Sequence, residues 1–425
     1  MTALTHTAPA AAPGLLRNRW FQLLIGLICM MAISSPQYVW TLLTKPLTAK
    51  LGVPLSELQI TFSMLIVLQT FFSPFQGSLI ERYGARRLIA IGTFMSGLSW
   101  VLAAQASSIG MFYLAYGLVG GLGTGIVYVG VVGQMVRWFP DRRGFAVGMV
   151  AAGYGMGAIL TTFPISSSLA TAGLETTLWQ FGLVFAVIGV IASQALRSPD
   201  PAQSAALPAP VIAAGTHDLA PRQMLRTPLF WLMFVMMTMM STSGLMVTSQ
   251  MATFARDFGV ANVMVFGLAA LPLALTIDRL TNGLTRPFFG WVSDRFGREN
   301  TMFIAFALEG VAMALWLATR ENAVLFVLLS GVVFFGWGEI FSLFPSTLTD
   351  TFGTRHATAN YGWLYISQGI GSIFGGPLAA MMHEKTGSWH PVFGTAITLD
   401  ILAALLALMV LKPWRASYLK RLAPK

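Results

Sequence analysis

Residues 74–86 read Pro-Phe-Gln-Gly-Ser-Leu-Ile-Glu-Arg-Tyr-Gly-Ala-Arg, and residues 287–298 read Pro-Phe-Phe-Gly-Trp-Val-Ser-Asp-Arg-Phe-Gly-Arg. Matched positions lie 213 residues apart throughout: Gly77 with Gly290, Glu81 with Asp294, Arg82 with Arg295 and Gly84 with Gly297. A spacing of half the chain points to an internal duplication, and duplicated membrane carriers bind their cargo where the repeats meet. Within each copy the glycines permit close helix approach and a tight turn. The acid and the arginine can pair with each other or with a neighbouring helix end. These eight residues are therefore read as a conformational latch, not as cargo ligands.

Around the repeat, 55% of the 425 residues are hydrophobic and only 10% are charged, against roughly 25% charged in a soluble domain. A hydrocarbon layer about 30 Å thick takes about 20 apolar helical residues per crossing. Twelve such windows are present, at 21–43, 58–80, 88–106, 109–133, 145–170, 176–196, 228–255, 261–289, 301–319, 322–345, 358–382 and 388–411. The sequence predicts an all-α membrane protein of twelve transmembrane helices in two pseudo-symmetric six-helix bundles, 21–196 and 228–411. A Pro- and Ala-rich linker at 197–227 joins them, with tails at 1–20 and 412–425. The repeated G-x-x-x-[DE]-R-x-G pattern, at the ends of spans 2 and 8, resembles the loop signature of the major facilitator superfamily, which implies that fold.

The formal charge of +10 does not point to nucleic acid once the 26 Lys and Arg are placed. Nineteen fall in the tails and even-numbered loops and five in odd-numbered loops, which puts both termini in the cytoplasm by the positive-inside rule. Residues 1–20 are polar and the first span lacks a small-residue cleavage site, so no signal peptide is expected. Cys29 is the single cysteine, which excludes an internal disulfide and a cysteine metal cluster. His6, His217, His356, His383 and His390 lie in tails, loops and span ends, and no nucleophile, histidine and acid cluster together. No phosphate-binding loop is present, and no strand precedes the glycines of span 4. The expectation is a transporter and not an enzyme, with no cofactor, metal, nucleotide or nucleic acid, acting as a monomer in a lipid bilayer.

Only Arg279 and Arg286 lie inside a span, the eighth. An arginine at bilayer depth costs about 2.5–3.5 kcal/mol on insertion scales, so such a residue faces a pathway or has a partner. In the repeat register Asp278 and Arg279 match Leu65 and Ile66, Asn282 matches Gln69, and Arg286 matches Ser73, so one half carries three charges that the other lacks. Arg279, Asn282 and Arg286 share one helical face. Seven residues rise about 10.5 Å, too far for both arginines to clamp a very small dicarboxylate. Asp278, Glu309 in span 9 or Glu339 in span 10 can pair with Arg279. Arg286 has no acid three or four positions away within the span, which makes it the better anion-binding cation, and its planar fork fits a carboxylate in two hydrogen bonds.

Along nearly the whole chain the sequence also resembles the oxalate:formate antiporter family. The matches include Asn18-Arg19-Trp20-Phe21, Gln37-Tyr38 with Trp40, Gly125-Ile126-Val127-Tyr128, Arg137-Trp138-Phe139-Pro140-Asp141, Ala151-Ala152-Gly153-Tyr154-Gly155, Arg286-Pro287-Phe288, Leu343-Phe344-Pro345-Ser346-Thr347 and Asn360-Tyr361-Gly362. The resemblance implies that Arg286 grips a substrate carboxylate inside an enclosure of Gln37, Tyr38, Tyr128, Tyr154, Trp337 and Tyr365. It also implies a bacterial inner-membrane location. In that family a span 11 lysine grips a second carboxylate; here its position holds Gln368. One fixed positive charge suits a monocarboxylate better than a small dianion. Related monocarboxylate transporters carry an acid four residues before their span 8 arginine; here that position is Asn282, with Asp278 a turn earlier.

The function expected is secondary transport of small organic carboxylate anions by alternating access, through anion exchange with a monocarboxylate preference. Three alternatives stand beside it: proton-coupled symport through Asp278, Glu309 or Glu339; oxalate:formate exchange with Arg279 as second anchor; and a carboxylate sensor.

Overall fold

The computed structural model describes residues 14–209, 214–215 and 217–422. Residues 1–13 and 423–425 of the expected tails, 210–213 and 216 of the expected linker, and His6 lie outside them. A chain in lipid must satisfy its backbone polar groups internally, and helices do so. Span 1 runs in three pieces, Arg19–Ala32, Ser35–Tyr38 and Trp40–Leu51, and span 2 in two, Leu55–Phe71 and Ser73–Tyr83, with a 50° bend. Spans 3 to 6 are Ala85–Ala104, Ile109–Trp138, Arg143–Thr171 and Gly173–Ala195. Span 7 is Pro228–Thr248, continued by Met251–Asp257, span 8 is Ala270–Phe296 and span 9 is Arg298–Ala318. Span 10 breaks between Ala323–Trp337 and Ile340–Phe352, span 11 is Ala357–Thr386, and span 12 begins at His390.

Among the described residues nine of these helices are long and apolar enough to cross a membrane, and bent span 2 makes a tenth. Spans 8 and 11 are as long but more polar: Asp278, Arg286 and Asp294 are buried on one, Asn360 and Ser367 on the other. Large apolar side chains such as Ile91, Phe94, Ile188, Ile191, Leu315 and Leu328 are exposed on the outer helices, which is the face hydrocarbon would cover.

One sequence boundary is corrected, and two stretches carry structure that the sequence left undescribed. Span 8 does not begin at 261. The apolar residues there form a two-stranded hairpin, Met264–Val265 with Leu268–Ala269, whose tip holds Phe266 at φ 50° and Gly267 at φ 82°; a short apolar run carries too little periodicity to tell strand from helix. The tail after 411 continues as a helix, Lys412–Leu422, and buried Arg415 pairs with Glu299 at 2.8 Å. The linker is docked at its end. Leu219 N–H donates to Phe352 O at 2.9 Å, and the Asp218 carboxylate accepts from Thr354 and Arg355 N–H at 2.8 and 3.0 Å.

The two halves pack alike. Span 3 lies along span 6 and span 9 along span 12, while spans 2 with 11 and 5 with 8 cross from one half to the other. On the side where the even-numbered loops lie, both crossings are closed, and the repeated motif closes them. Gly290 meets span 5 so closely that a methyl added there would run into Gly144 O; at Gly77 it would stand 2.7 Å from the Ala359 backbone. Asp294 accepts from Gly144 and Phe145 N–H at 2.9 and 2.8 Å, and Glu81 accepts from Ala359 N–H at 3.0 Å. Each motif acid thus caps the N-terminus of a helix in the opposite half, where free N–H groups and the helix dipole favour an anion. Gly84 and Gly297 turn the chain at φ 91° and 95°, which side chains resist.

Of the motif arginines, Arg82 and Arg295 pair with neither acid among the described residues, whereas Arg298 does pair with Asp294. Arg82 and Arg295 are exposed and lie over Tyr83 and Trp291, 5.3 and 4.3 Å from the ring centroids. The cations at these contacts are others: buried Arg298 bonds Asp294 at 2.6 Å and Asp350 at 2.8 Å, buried Arg143 also pairs with Asp350, and half-buried Arg137 approaches Glu81 at 3.8 Å. They sit one turn further along or on the facing helix, where burial strengthens the contact. Gly290→Val is expected to cut transport at least tenfold with normal membrane insertion, because overpacking costs about 1–3 kcal/mol. Unchanged transport by this variant would mean that the spans 5 and 8 need not meet.

Candidate functional site

Between the halves lies a cavity of about 590 Å³. Its wall is drawn from mid-membrane and from the parts of spans 2, 7 and 11 nearer the odd-numbered loops, Phe62, Ser63, Leu245, Ser249, Ile373 and Pro377 among them. The cavity therefore faces the odd-loop side while the latch shuts the other.

Arg286 stands in its wall and is only 2% exposed. Its Nη1 donates to Ala151 O at 2.6 Å and its Nη2 to Asn282 Oδ1 at 2.9 Å, while the guanidinium carbon lies 4.6 Å from the Phe341 ring centroid. A turn-spaced amide, a carbonyl from span 5 and an aromatic face from span 10 thus hold a cation with neutral groups. Gly155 makes room: a methyl there would stand 3.2 Å from the guanidinium carbon. No carboxylate lies within ion-pair distance of Arg286 among the described residues, and its Nε has no hydrogen-bond partner. Donors remain for an incoming anion.

An aromatic enclosure surrounds it. Tyr128 and Tyr365 stack across the two halves at 4.8 Å and 5°, and Tyr154 sets its edge against Tyr128 at 5.2 Å and Tyr38 at 5.5 Å. Tyr154 OH donates to Gln37 Oε1 at 2.5 Å and lies 3.3 Å from Gln69 Oε1; Gln69 Nε2 donates to Tyr365 OH at 2.9 Å. This chain ties spans 1, 5, 2 and 11 together. Trp337 packs its indole on Gly244 and donates to Met240 O at 3.0 Å. Gln368 accepts from Ser241 Oγ at 2.6 Å, its Nε2 3.4 Å from Ser372 Oγ.

Gln37, Tyr38, Tyr128, Tyr154, Arg286, Trp337, Tyr365 and Gln368 all line the cavity, and Asn282 supports Arg286. The other span 8 and span 10 charges stand apart. Arg279 is exposed, lies outside the cavity wall and has no ion pair among the described residues, so it does not join Asp278, Glu309 or Glu339 as expected. Its azimuth matches that of Arg286, but about two turns along the axis separate them. Asp278 is buried facing Ser330 of span 10. Glu309 and Glu339 are buried in the C-terminal half. Gln69 and Phe341 also belong to the wall; the repeat register pairs Phe341 with Tyr128 on inward faces and Gln69 with Asn282, though it did not mark Gln69 as a site residue.

Two pseudo-symmetric helical bundles around a polar-floored cavity, latched on one face, define a multi-pass membrane transporter and not an enzyme. The sequence pattern of the Major Facilitator Superfamily matches residues 22–277 and 269–422, and the chain belongs to that superfamily. It is 34% identical over 399 residues to the oxalate:formate antiporter of Oxalobacter formigenes, covering 93% of both chains. It is 24% identical to monocarboxylate transporter 13 of Bos taurus, covering 79% of this chain and 75% of that one. A solved structure of the proton:xylose symporter XylE, 15% identical, shares the fold at a TM-score of 0.65 over 92% of this chain and 96% of its own.

Proposed function

We propose that the protein is an alternating-access carrier of small organic carboxylate anions that works by exchange and prefers monocarboxylates. The observation that carries this reading is Arg286: a fixed cation in the cavity wall, held by neutral partners, with no carboxylate among the described residues paired to it. Its fork can receive a carboxylate while aromatic faces exclude water. The likeness to an oxalate:formate antiporter supports the anion class. The second pole supports a single anchor, since Gln368 offers an amide and Arg279 lies outside the wall. An empty cavity closing around an unpaired guanidinium is costly, so the loaded carrier reorients more readily, and exchange follows. The excess of Lys and Arg in the tails and even-numbered loops supports cytoplasmic termini and a bacterial inner-membrane location, with the cavity then facing outward. The six-helix units at 21–196 and 228–411 are the bodies that rock.

The test is uptake of labelled acetate, lactate and oxalate into proteoliposomes preloaded with the unlabelled anion, for wild type and Gln368→Lys. Wild type is expected to exchange a monocarboxylate, and Gln368→Lys to shift preference toward oxalate by about tenfold, as a second charged contact is worth about 1.5–3 kcal/mol. A wild type that prefers oxalate overturns the monocarboxylate preference; one that exchanges none of the three overturns the carboxylate reading.

A further inference from the structure

Residues 258–277, between spans 7 and 8 and into the start of span 8, hold no charged residue. The hairpin within them turns its side chains outward: Met264 is 65%, Phe266 78% and Leu268 57% exposed. Water is a poor partner for such a patch. In the 213-residue register the matched connection of the first half, between spans 1 and 2, carries Lys50 and Glu57 where this stretch carries Val263 and Ala270, and Lys50 pairs with Glu175 at 2.8 Å. One half has ions where the other has an apolar tip.

The turn itself is strained. Phe266 and Gly267 form a two-residue connection with φ positive at both positions, a geometry that favours Asn-Gly because most side chains resist it. Phe266 is the one non-glycine residue at positive φ among the described residues. An exposed aromatic ring held in that conformation points to a role for the ring beyond the fold.

The neighbours of the tip indicate what covers it. Val265 turns inward and joins the apolar cluster that holds Ala270, Phe326 and Val327, so strand Met264–Val265 packs on span 10. Beside that contact span 10 exposes Val324, Leu325 and Leu328, and the hairpin continues this lipid-facing surface. None of residues 263–269 lines the cavity between the halves. Near the base of the hairpin lies a polar and aromatic belt of the kind found where membrane meets water: Trp389 Nε1 donates to Asp257 Oδ2 at 2.8 Å, His383 stacks on Trp389, and the Arg320 guanidinium lies 5.9 Å from the Phe258 ring centroid. The hairpin's hydrogen bonds limit its depth. Ala270 N–H donates to Val263 O at 2.9 Å and Leu271 N–H to Ala261 O at 3.1 Å, but a two-stranded ribbon leaves both outer edges without a neighbouring strand. Hydrocarbon does not tolerate such edges, whereas the hydrated headgroup layer does.

We propose that this hairpin is a membrane anchor. Phe266, with Met264 and Leu268, seats at the boundary of headgroups and acyl chains in the leaflet on the odd-loop side, and the hairpin enters the interface without crossing the bilayer. Its partner is lipid, held by apolar contact. Strand Leu268–Ala269 runs into Ala270, the first residue of span 8, with no linker, so the anchor holds the odd-loop end of the helix that carries Arg286. The inference does not depend on which cargo Arg286 binds.

Cys29 is buried and is the single cysteine, so Phe266→Cys and Glu321→Cys can each carry one solvatochromic maleimide dye. Glu321, exposed on the loop between spans 9 and 10, is the water-side reference. Both proteins are placed in nanodiscs of phosphatidylethanolamine and phosphatidylglycerol containing a lipid spin-labelled near the glycerol end of its acyl chain. The dye at 266 is expected to emit to the blue of the dye at 321, with about threefold or more stronger quenching by the spin-labelled lipid and correspondingly weaker quenching by iodide. Equal iodide quenching at both sites overturns the anchor. Quenching of the dye at 266 by neither agent overturns it too, because the tip is then covered by a second copy or another protein. The dye is itself apolar, so Met264 of the unlabelled chain is followed as well, by hydroxyl-radical oxidation in the same nanodiscs. Asp takes up a positive φ more readily than Phe, so Phe266→Asp keeps the turn while its charge leaves the lipid. Oxidation of Met264 is expected to rise about fivefold or more in that variant; equal oxidation in wild type and variant overturns the anchor.

Discussion

Exchange of a labelled carboxylate is expected to fall by about a hundredfold or more in Arg286→Gln. Truncating one partner of a buried, hydrogen-bonded charge pair costs about 2–5 kcal/mol, and each 1.4 kcal/mol is about tenfold. The loss has two sources. The anion loses the one cation that the described residues place in the cavity wall, and Ala151 O, buried on span 5, loses the donor that Arg286 brings across from the other half. Arg286→Lys separates them. An ammonium keeps the charge but cannot bridge Ala151 O and Asn282 while presenting a fork, so about a tenfold loss is expected. Counterflow in proteoliposomes measures both, and an Arg286→Gln protein that exchanges as wild type does would sink the single-anchor site.

The second large effect belongs to Asp294. Asp294→Ala is expected to expose the Gly144 and Phe145 amides to solvent exchange about a hundredfold faster while leaving Ala359 protected. Glu81→Ala should do the reverse. Asp294 is buried, caps both amides and bonds Arg298, and breaking a buried pair from one side costs about 3–5 kcal/mol. Hydrogen-exchange mass spectrometry on peptides from the two helix starts reads both acids in one experiment. Equal exchange at both starts in either variant would mean that the acids do not act as separate caps.

Most of the fold was legible because two kinds of signal repeat themselves. Hydropathy windows give the apolar spans, and the motif at Glu81 and Asp294 gives the duplication. Spans 8 and 11 fall short of a strict apolarity test, yet both stand among the twelve windows that bounding charge and turn residues mark off. The start of span 8 was not legible, since Val263, Met264, Phe266 and Leu268 are as apolar as a helix and form a hairpin. In the site, Arg286 was marked by its charge and the tyrosines by their family resemblance. Arg279 carried the same charge signal and stands outside the cavity, because a helix period fixes azimuth and not depth. Gln69 escaped for a related reason. A neutral amide becomes notable only when other helices bring partners to it, as Tyr154 and Tyr365 do for Gln69.

The reciprocal caps have a further consequence. Glu81 holds a helix of the second half and Asp294 a helix of the first, so the contact has the form of an isologous handshake in a twofold dimer, fused here into one chain. Fusion has freed the two grips to diverge. The side chain of Glu81 is 16% exposed and shares its anion with His356, itself 31% exposed, whereas Asp294 is 4% exposed among Arg298, Asp350 and Arg143. Water already reaches the first grip and not the second. A gate with hinges of unequal strength swings from the weaker one, so unlocking is expected to start where spans 2 and 11 meet, with spans 5 and 8 as the pivot.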